Sequence, residues 1–210
     1  MKITKIAPYG ANSKFYKIFL DGQYALSLPP EIIVRFSLKE DMETSLEEIE
    51  TLTQAALVRK ARERLLYSLD RRLHSEKELR DKLYRNYSPK IIDLAISEVA
   101  RLGLVDDERF AEAFCKEKMT VNKKGPHLVL CELYKKGVDK NLAKEVVDRV
   151  FSEGENELEG ALAAAQKYKK DLDTPKGKQR LYGALMRKGF SYSIVKEVMR
   201  TLCSEIEFED

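Results

Sequence analysis

Leu133-Tyr134-Lys135-Lys136-Gly137-Val138 returns 52 residues later as Leu185-Met186-Arg187-Lys188-Gly189-Phe190. In both copies a leucine begins the last turn of an apolar-periodic segment, and a glycine precedes an apolar residue. This is a helix stop in which glycine takes the left-handed position and the next residue folds back on the helix. Working outward, adding 50 to Ser75–Ala100 gives Gly125–Val150, and adding 52 to that gives Gly177–Leu202. Leu79, Val129 and Leu181 then correspond, as do Leu83, Leu133 and Leu185; Ile92, Leu142 and Ile194; and Ile96, Val146 and Val198. The first hinge, Leu83-Tyr84-Arg85-Asn86-Tyr87, lacks the glycine, with Tyr87 in its place and Asn86 the candidate for the left-handed position.

Another apolar-periodic helix precedes each pair, at about Ala55–Leu69, Glu108–Met119 and Leu158–Lys170. Each unit is thus three helices that cannot bury their apolar stripes alone, so neighbours must stack. The expected fold is mainly α, an elongated array of three tandem three-helix repeats after a small N-terminal β segment. The divisions fall at 1–44, 45–105, 106–154 and 155–210.

The N-terminal segment reads differently. Strand-like Lys14–Leu20 and Gln23–Leu28 flank Asp21-Gly22, the pair favoured by a two-residue type I′ turn, and Lys2–Ile6 offers a third strand. Pro29-Pro30 ends the sheet and Glu31–Phe36 suits a short helix. Capping boxes at Ser45-Leu46-Glu47-Glu48 and Ser75-Glu76-Lys77-Glu78 open helices, the first reaching about Leu69 with Leu52 as the place for a break. Ser88 before Pro89 and Asp106 or Asp107 are further N-caps, with Phe110, Ala113 and Phe114 facing inward.

The 210 residues carry 38 Lys and Arg against 35 Asp and Glu, a net charge of +3, while 43% are apolar. That supports a folded core and does not mark a basic protein as a whole. Charge is unevenly spread: the excess of cations is five over 57–103 and seven over 161–203, and the N-terminal 56 residues are acidic. No apolar run approaches the roughly 20 residues of a membrane span, and the N-terminus lacks the core of a signal peptide, so the cytoplasm is expected. Cys115, Cys131 and Cys203, odd in number and widely spaced, suit reduced thiols packed as small apolar residues.

Arg71-Arg72-Leu73-His74-Ser75 with Glu78-Leu79 and Leu83, then Leu102-Gly103-Leu104-Val105-Asp106-Asp107 with Phe110-Ala111, then Lys124-Gly125-Pro126, Leu133 and Lys135-Lys136-Gly137-Val138 together resemble the RecX family over about residues 57–203. The resemblance implies a non-enzymatic regulator of RecA recombinase that lodges in the groove of the RecA–DNA filament and mainly inhibits ATP hydrolysis, filament growth and strand exchange. It implies roles in recombination, DNA repair and the SOS response, and contacts with single- and double-stranded DNA. We take the chain as a monomer without a cofactor.

The candidate contact residues are cations. Arg59, Arg62, Arg71 and Arg72 belong to the densest basic run; Lys82 and Arg85 close the next helix; Lys123 and Lys124 precede a helix start; Lys135, Lys136, Arg187 and Lys188 occupy the repeated hinges. Facing phosphates, such cations release counterions and give salt-sensitive, sequence-independent affinity. The same residues also serve as solvated faces, or stabilise helix C-termini by about 0.3–1 kcal/mol each. Recurrence at one place in stacked units favours a binding role. Asp106-Asp107-Glu108 reads as helix capping, His127 and Cys131 are too few for a metal, and no nucleophile arrangement or nucleotide loop stands out. Tyr84, Tyr134 and Tyr182 read as packing between repeats, with base stacking as the other use. The alternatives are a direct, sequence-independent DNA binder and a protein–protein scaffold without a DNA role.

Overall fold

The computed structural model describes residues 1–9, 14–153 and 157–207, with ten α-helices and a three-stranded sheet among them. It divides into two compact units, residues 1–72 with 79–104 and residues 73–78 with 105–210.

In the first unit, β1 (Ile3–Pro8), β2 (Tyr16–Leu20) and β3 (Gln23–Leu28) form an antiparallel sheet in that order. Asp21 and Gly22 both have positive φ, 47° and 81°, the type I′ requirement, and they set Leu20 opposite Gln23. Ile3, Ile18 and Leu28 are fully buried, packing with Ile32 of α1 (Pro30–Arg35) and Leu52 of α2 (Leu46–Leu69). α2 runs unbroken through Leu52, because that side chain anchors the helix to the sheet core. Its N-terminus holds the expected capping box: Glu48 N donates to Ser45 Oγ at 3.1 Å and Ser45 N to Glu48 Oε2 at 2.9 Å. The amide of Ser45 and the hydroxyl of Thr44 on this carboxylate hold the Glu48 carboxyl below its usual range.

α2 packs along α4 (Pro89–Arg101). Ser88 forms no side-chain cap there, and Pro89 takes the first helical position, where no N–H is needed. α3 (Glu76–Leu83) has its first turn in the second unit and its last five residues in the first.

The second unit contains α5 (Asp107–Thr120), α6 (Pro126–Lys135), α7 (Lys140–Glu153), α8 (Glu157–Ala165), a 3-10 helix (Gln166–Asp171), α9 (Pro175–Arg187) and α10 (Tyr192–Glu207). Two apolar clusters fill it, one from α5, α6 and α7, the other from α8, α9 and α10. On α5 the buried stripe is Phe110, Ala111 and Cys115, with Phe114 half-buried. Ala113 is exposed, because it sits to the solvent side of that stripe. Burial pushes the Cys115 thiol up to about 12; Cys131, by contrast, is exposed rather than packed.

The repeat holds at the first helix of each pair: Leu79, Val129, Leu181, Leu83, Leu133 and Leu185 are all fully buried. At the second helix the correspondence shifts by one. Ile92 N bonds Ser88 O, Ala143 N bonds Asp139 O and Val195 N bonds Ser191 O, so Ser88, Asp139 and Ser191 are the equivalent starts. The spacing from the first to the second repeat is therefore 50 before the hinge and 51 after it. The glycine of the first hinge is absent rather than replaced, and Tyr87 aligns with Val138 and Phe190. Asn86 is not among the residues with positive φ; Asn86 N and Tyr87 N both close on Leu83 O.

Candidate protein and nucleic-acid interface at the repeat hinges

Gly137 and Gly189 have φ of 81° and 83°, and each ends its helix with the paired bonds of a Schellman motif. Val138 N reaches Leu133 O and Gly137 N reaches Tyr134 O; Phe190 N reaches Leu185 O and Gly189 N reaches Met186 O. These stops do more than end helices, because each seats on the start of the first helix of the preceding repeat's pair, α3 or α6. Ser75 Oγ donates to Lys136 O at 2.7 Å, Lys77 Nζ donates to Lys135 O, and Lys136 Nζ pairs with Glu78. One repeat later, Gly125 N donates to Lys188 O at 2.8 Å and His127 N to Gly189 O at 3.1 Å. Backbones touch closely here. A Cβ on Gly125 would meet the Gly189 carbonyl at 2.4 Å, and one on Gly189 would meet Leu128 N at 2.3 Å.

The two cations of each hinge consequently part company. Lys136 turns to Glu78, while Lys188 Nζ donates to Asn122 O at 2.9 Å and Lys123 O at 3.0 Å at the end of α5. Lys123 itself has φ 49°, which turns these carbonyls toward the lysine. Desolvation, with Lys167 and Lys124 nearby, lowers the Lys188 ammonium from its ordinary pKa. Lys135 and Arg187, one residue earlier, are exposed and form no ion pair among the described residues. Arg85 holds the same place in the first repeat and is likewise exposed. Beside them stand Tyr84, Tyr134 and Met186, with exposures of 75%, 38% and 40%. Tyr182 is exposed too.

The other candidates have mixed surroundings. Arg59 bridges Glu31 at 3.0 Å and Glu63 at 2.9 Å, Arg62 reaches Glu98 at 3.3 Å, and Lys124 pairs with Glu132. Arg71 is exposed and rests 5.1 Å over the Tyr67 ring. Arg72 and Lys82 are exposed. Sequence reasoning passed over Arg35 and Arg101, which stand with Arg59 and Arg62 around one cleft of the first unit; their wide separation along the chain offers no signal.

The acidic cluster serves two helices. Asp106 Oδ1 accepts from Arg109 N at 2.9 Å and caps α5, whereas Asp107 Oδ1 accepts from Glu76 N at 2.8 Å and caps α3. Desolvation raises the Asp107 pKa against that hydrogen bond, with Glu76 and Asp106 adding to it. Among the described residues no group of three His, Cys, Asp or Glu is placed to hold a metal, and no helix is long and apolar enough to cross a membrane.

Three family models match the chain: RecX, first three-helix domain over residues 61–98; RecX, second three-helix domain over 106–147; and RecX, third three-helix domain over 155–199. The regulatory protein RecX of Listeria welshimeri is 32% identical over 100% of this chain and 79% of its own. That of Clostridium botulinum is 33% identical over 100% of this chain and 99% of its own. Among solved structures, a crystal structure of regulatory protein RecX superposes with a TM-score of 0.75 at 23% identity, covering 94% of this chain and 98% of that one. The crystal structure of RecX from Lactobacillus salivarius gives 0.62 at 25% identity, covering 70% and 97%.

Proposed function

Because this chain belongs to the RecX family, we propose that it is a non-enzymatic regulator of RecA recombinase that binds the RecA–DNA filament in the cytoplasm, as a monomer, and restrains ATP hydrolysis, filament growth and strand exchange. The observation that carries this reading is the repeated pair of exposed residues at each hinge: Tyr84 and Arg85, Tyr134 and Lys135, Met186 and Arg187. A cation beside a large apolar side chain suits a surface that presents phosphates next to bases or to apolar protein groups. Arg71 and Lys82 extend the same exposed charge in the first repeat. Arg59, Arg62, Lys124, Lys136 and Lys188 contribute less, since their charge is engaged inside the fold.

The test adds the protein in substoichiometric amounts to RecA on single-stranded DNA and follows ATP hydrolysis and strand exchange. Inhibition that disappears in the triple variant Arg85→Glu, Lys135→Glu, Arg187→Glu is the expected result. Unchanged hydrolysis and unaltered filaments by electron microscopy overturn the proposal. Filament-independent DNA affinity with no effect on RecA would favour the direct DNA binder instead.

A further inference from the structure

In the first unit, α1, α2 and α4 enclose a cleft of about 530 Å3 that the hinges do not share. Arg35, Arg59, Arg62 and Arg101 line it against only two acids, Glu31 and Glu98. Those acids are already engaged, Glu31 by Arg59 and Glu98 by Arg62. Arg35 and Arg101 are exposed and form no ion pair among the described residues; Arg35 merely rests 5.8 Å from the Phe36 ring. Arg62 Nε is buried with no hydrogen-bond partner. Beneath this charge lie Ile32 and Val58, buried, with Phe36 half-buried and Leu94 45% exposed.

We infer that this cleft docks an acidic peptide segment of a protein partner, its carboxylates on Arg35 and Arg101 and an aliphatic or aromatic side chain against Phe36 and Leu94. Planar guanidinium groups match carboxylates in two-point hydrogen bonds, and an apolar contact between them anchors the segment. A continuous phosphate chain fits less well, because it would carry charge along the whole cleft, past Glu31, Glu98 and the apolar Phe36 and Leu94, whereas a peptide sets its carboxylates on Arg35 and Arg101 alone with an apolar side chain between them. The inference goes beyond filament binding and stands independently of it, since none of its uncommitted cations belongs to a hinge.

The experiment uses the full chain and a fluorescein-labelled hexapeptide, Glu-Leu-Glu-Phe-Glu-Asp, followed by fluorescence anisotropy at low salt beside a labelled fifteen-residue oligothymidine. Saturable peptide binding is expected, weakened at least tenfold in Arg35→Glu/Arg101→Glu, with oligothymidine affinity unchanged. Circular dichroism checks the fold of that variant, and Leu94→Ala, at a half-exposed position, is expected to weaken the peptide severalfold without touching charge. Absence of saturable binding, or equal binding by the variants, overturns the inference. So does displacement of the peptide by oligothymidine accompanied by loss of oligothymidine affinity in the double arginine variant, which would make the cleft a phosphate site.

Discussion

At the scale of single residues, glycine conformation and the space around it separate two costs. Gly103 and Gly189 both have positive φ, 68° and 83°, but a Cβ on Gly103 meets nothing within 4 Å whereas one on Gly189 runs into Leu128 N. Gly103→Ala should cost only the left-handed strain of about 1–2 kcal/mol. Gly189→Ala adds backbone overlap at the junction of two repeats and should cost clearly more, which urea denaturation of the two variants measures. Asp107 makes the opposite kind of prediction. Its folded pKa lies above the ordinary 3.8 through desolvation, so the native state binds the proton more tightly than the unfolded chain does. That favourable difference is present below 3.8 and is lost as pH rises through the raised value. Asp107→Asn keeps an oxygen for Glu76 N without the charge, so its melting temperature at pH 7 should equal or exceed that of the parent, and the advantage should vanish below pH 3.8.

At the scale of elements, the repeated hinge is a clasp as well as a helix stop. Neighbouring cations in it have different work: Lys136 and Lys188 hold the preceding repeat, and Lys135 and Arg187 face solvent. Lys136→Ala and Lys188→Ala should each destabilise by about 1–2 kcal/mol, as charged hydrogen bonds in half-buried places are lost. Lys135→Ala and Arg187→Ala should stay within about 0.5 kcal/mol. The clasp also accounts for the missing glycine of the first hinge. A hinge seated on an earlier repeat leaves no room for a side chain, a Cβ on Gly137 meeting the Lys77 side chain and one on Gly189 the Leu128 backbone. Before the first hinge there is a β segment and no earlier repeat, and Tyr84, Arg85 and Asn86 are exposed. At the other end, the start of α9 is closed by its own chain: a Cβ on Gly177 would overlap Asp171 O, and Thr174 Oγ1 caps Gly177 N.

At the scale of the whole molecule, the net charge of +3 says little, since it sums cations of two kinds. Those held in clasps and ion pairs support the fold, and those standing one per repeat, Arg85, Lys135 and Arg187, are exposed to solvent. If Arg85, Lys135 and Arg187 each meet a phosphate, charge reversal at all three should lower the slope of log affinity against log salt by about 3. Anisotropy titrations between about 50 and 200 mM salt would show it. A change in affinity with an unaltered slope would assign these residues to protein contact.

The sequence by itself determined what depends on near neighbours along the chain. The Asp21-Gly22 turn, the Ser45–Glu48 capping box, the left-handed Gly137 and Gly189 and the buried leucines of each first helix were all legible, because turns, caps and periodic stripes are set within a few residues. The concentration of cations at the hinges was legible for the same reason. Only the tertiary structure decided which cations were already spent, because Glu78 and Lys136, or Asn122 and Lys188, meet across 58 and 66 residues of chain. It alone assigned Asp107 to a helix 31 residues earlier and gathered Arg35 and Arg101 around one cleft. A charge's availability is a property of its surroundings in space: a lysine left in water keeps its charge free, and the same residue type becomes a structural pin when a carboxylate or carbonyl of another repeat lies within 3 Å.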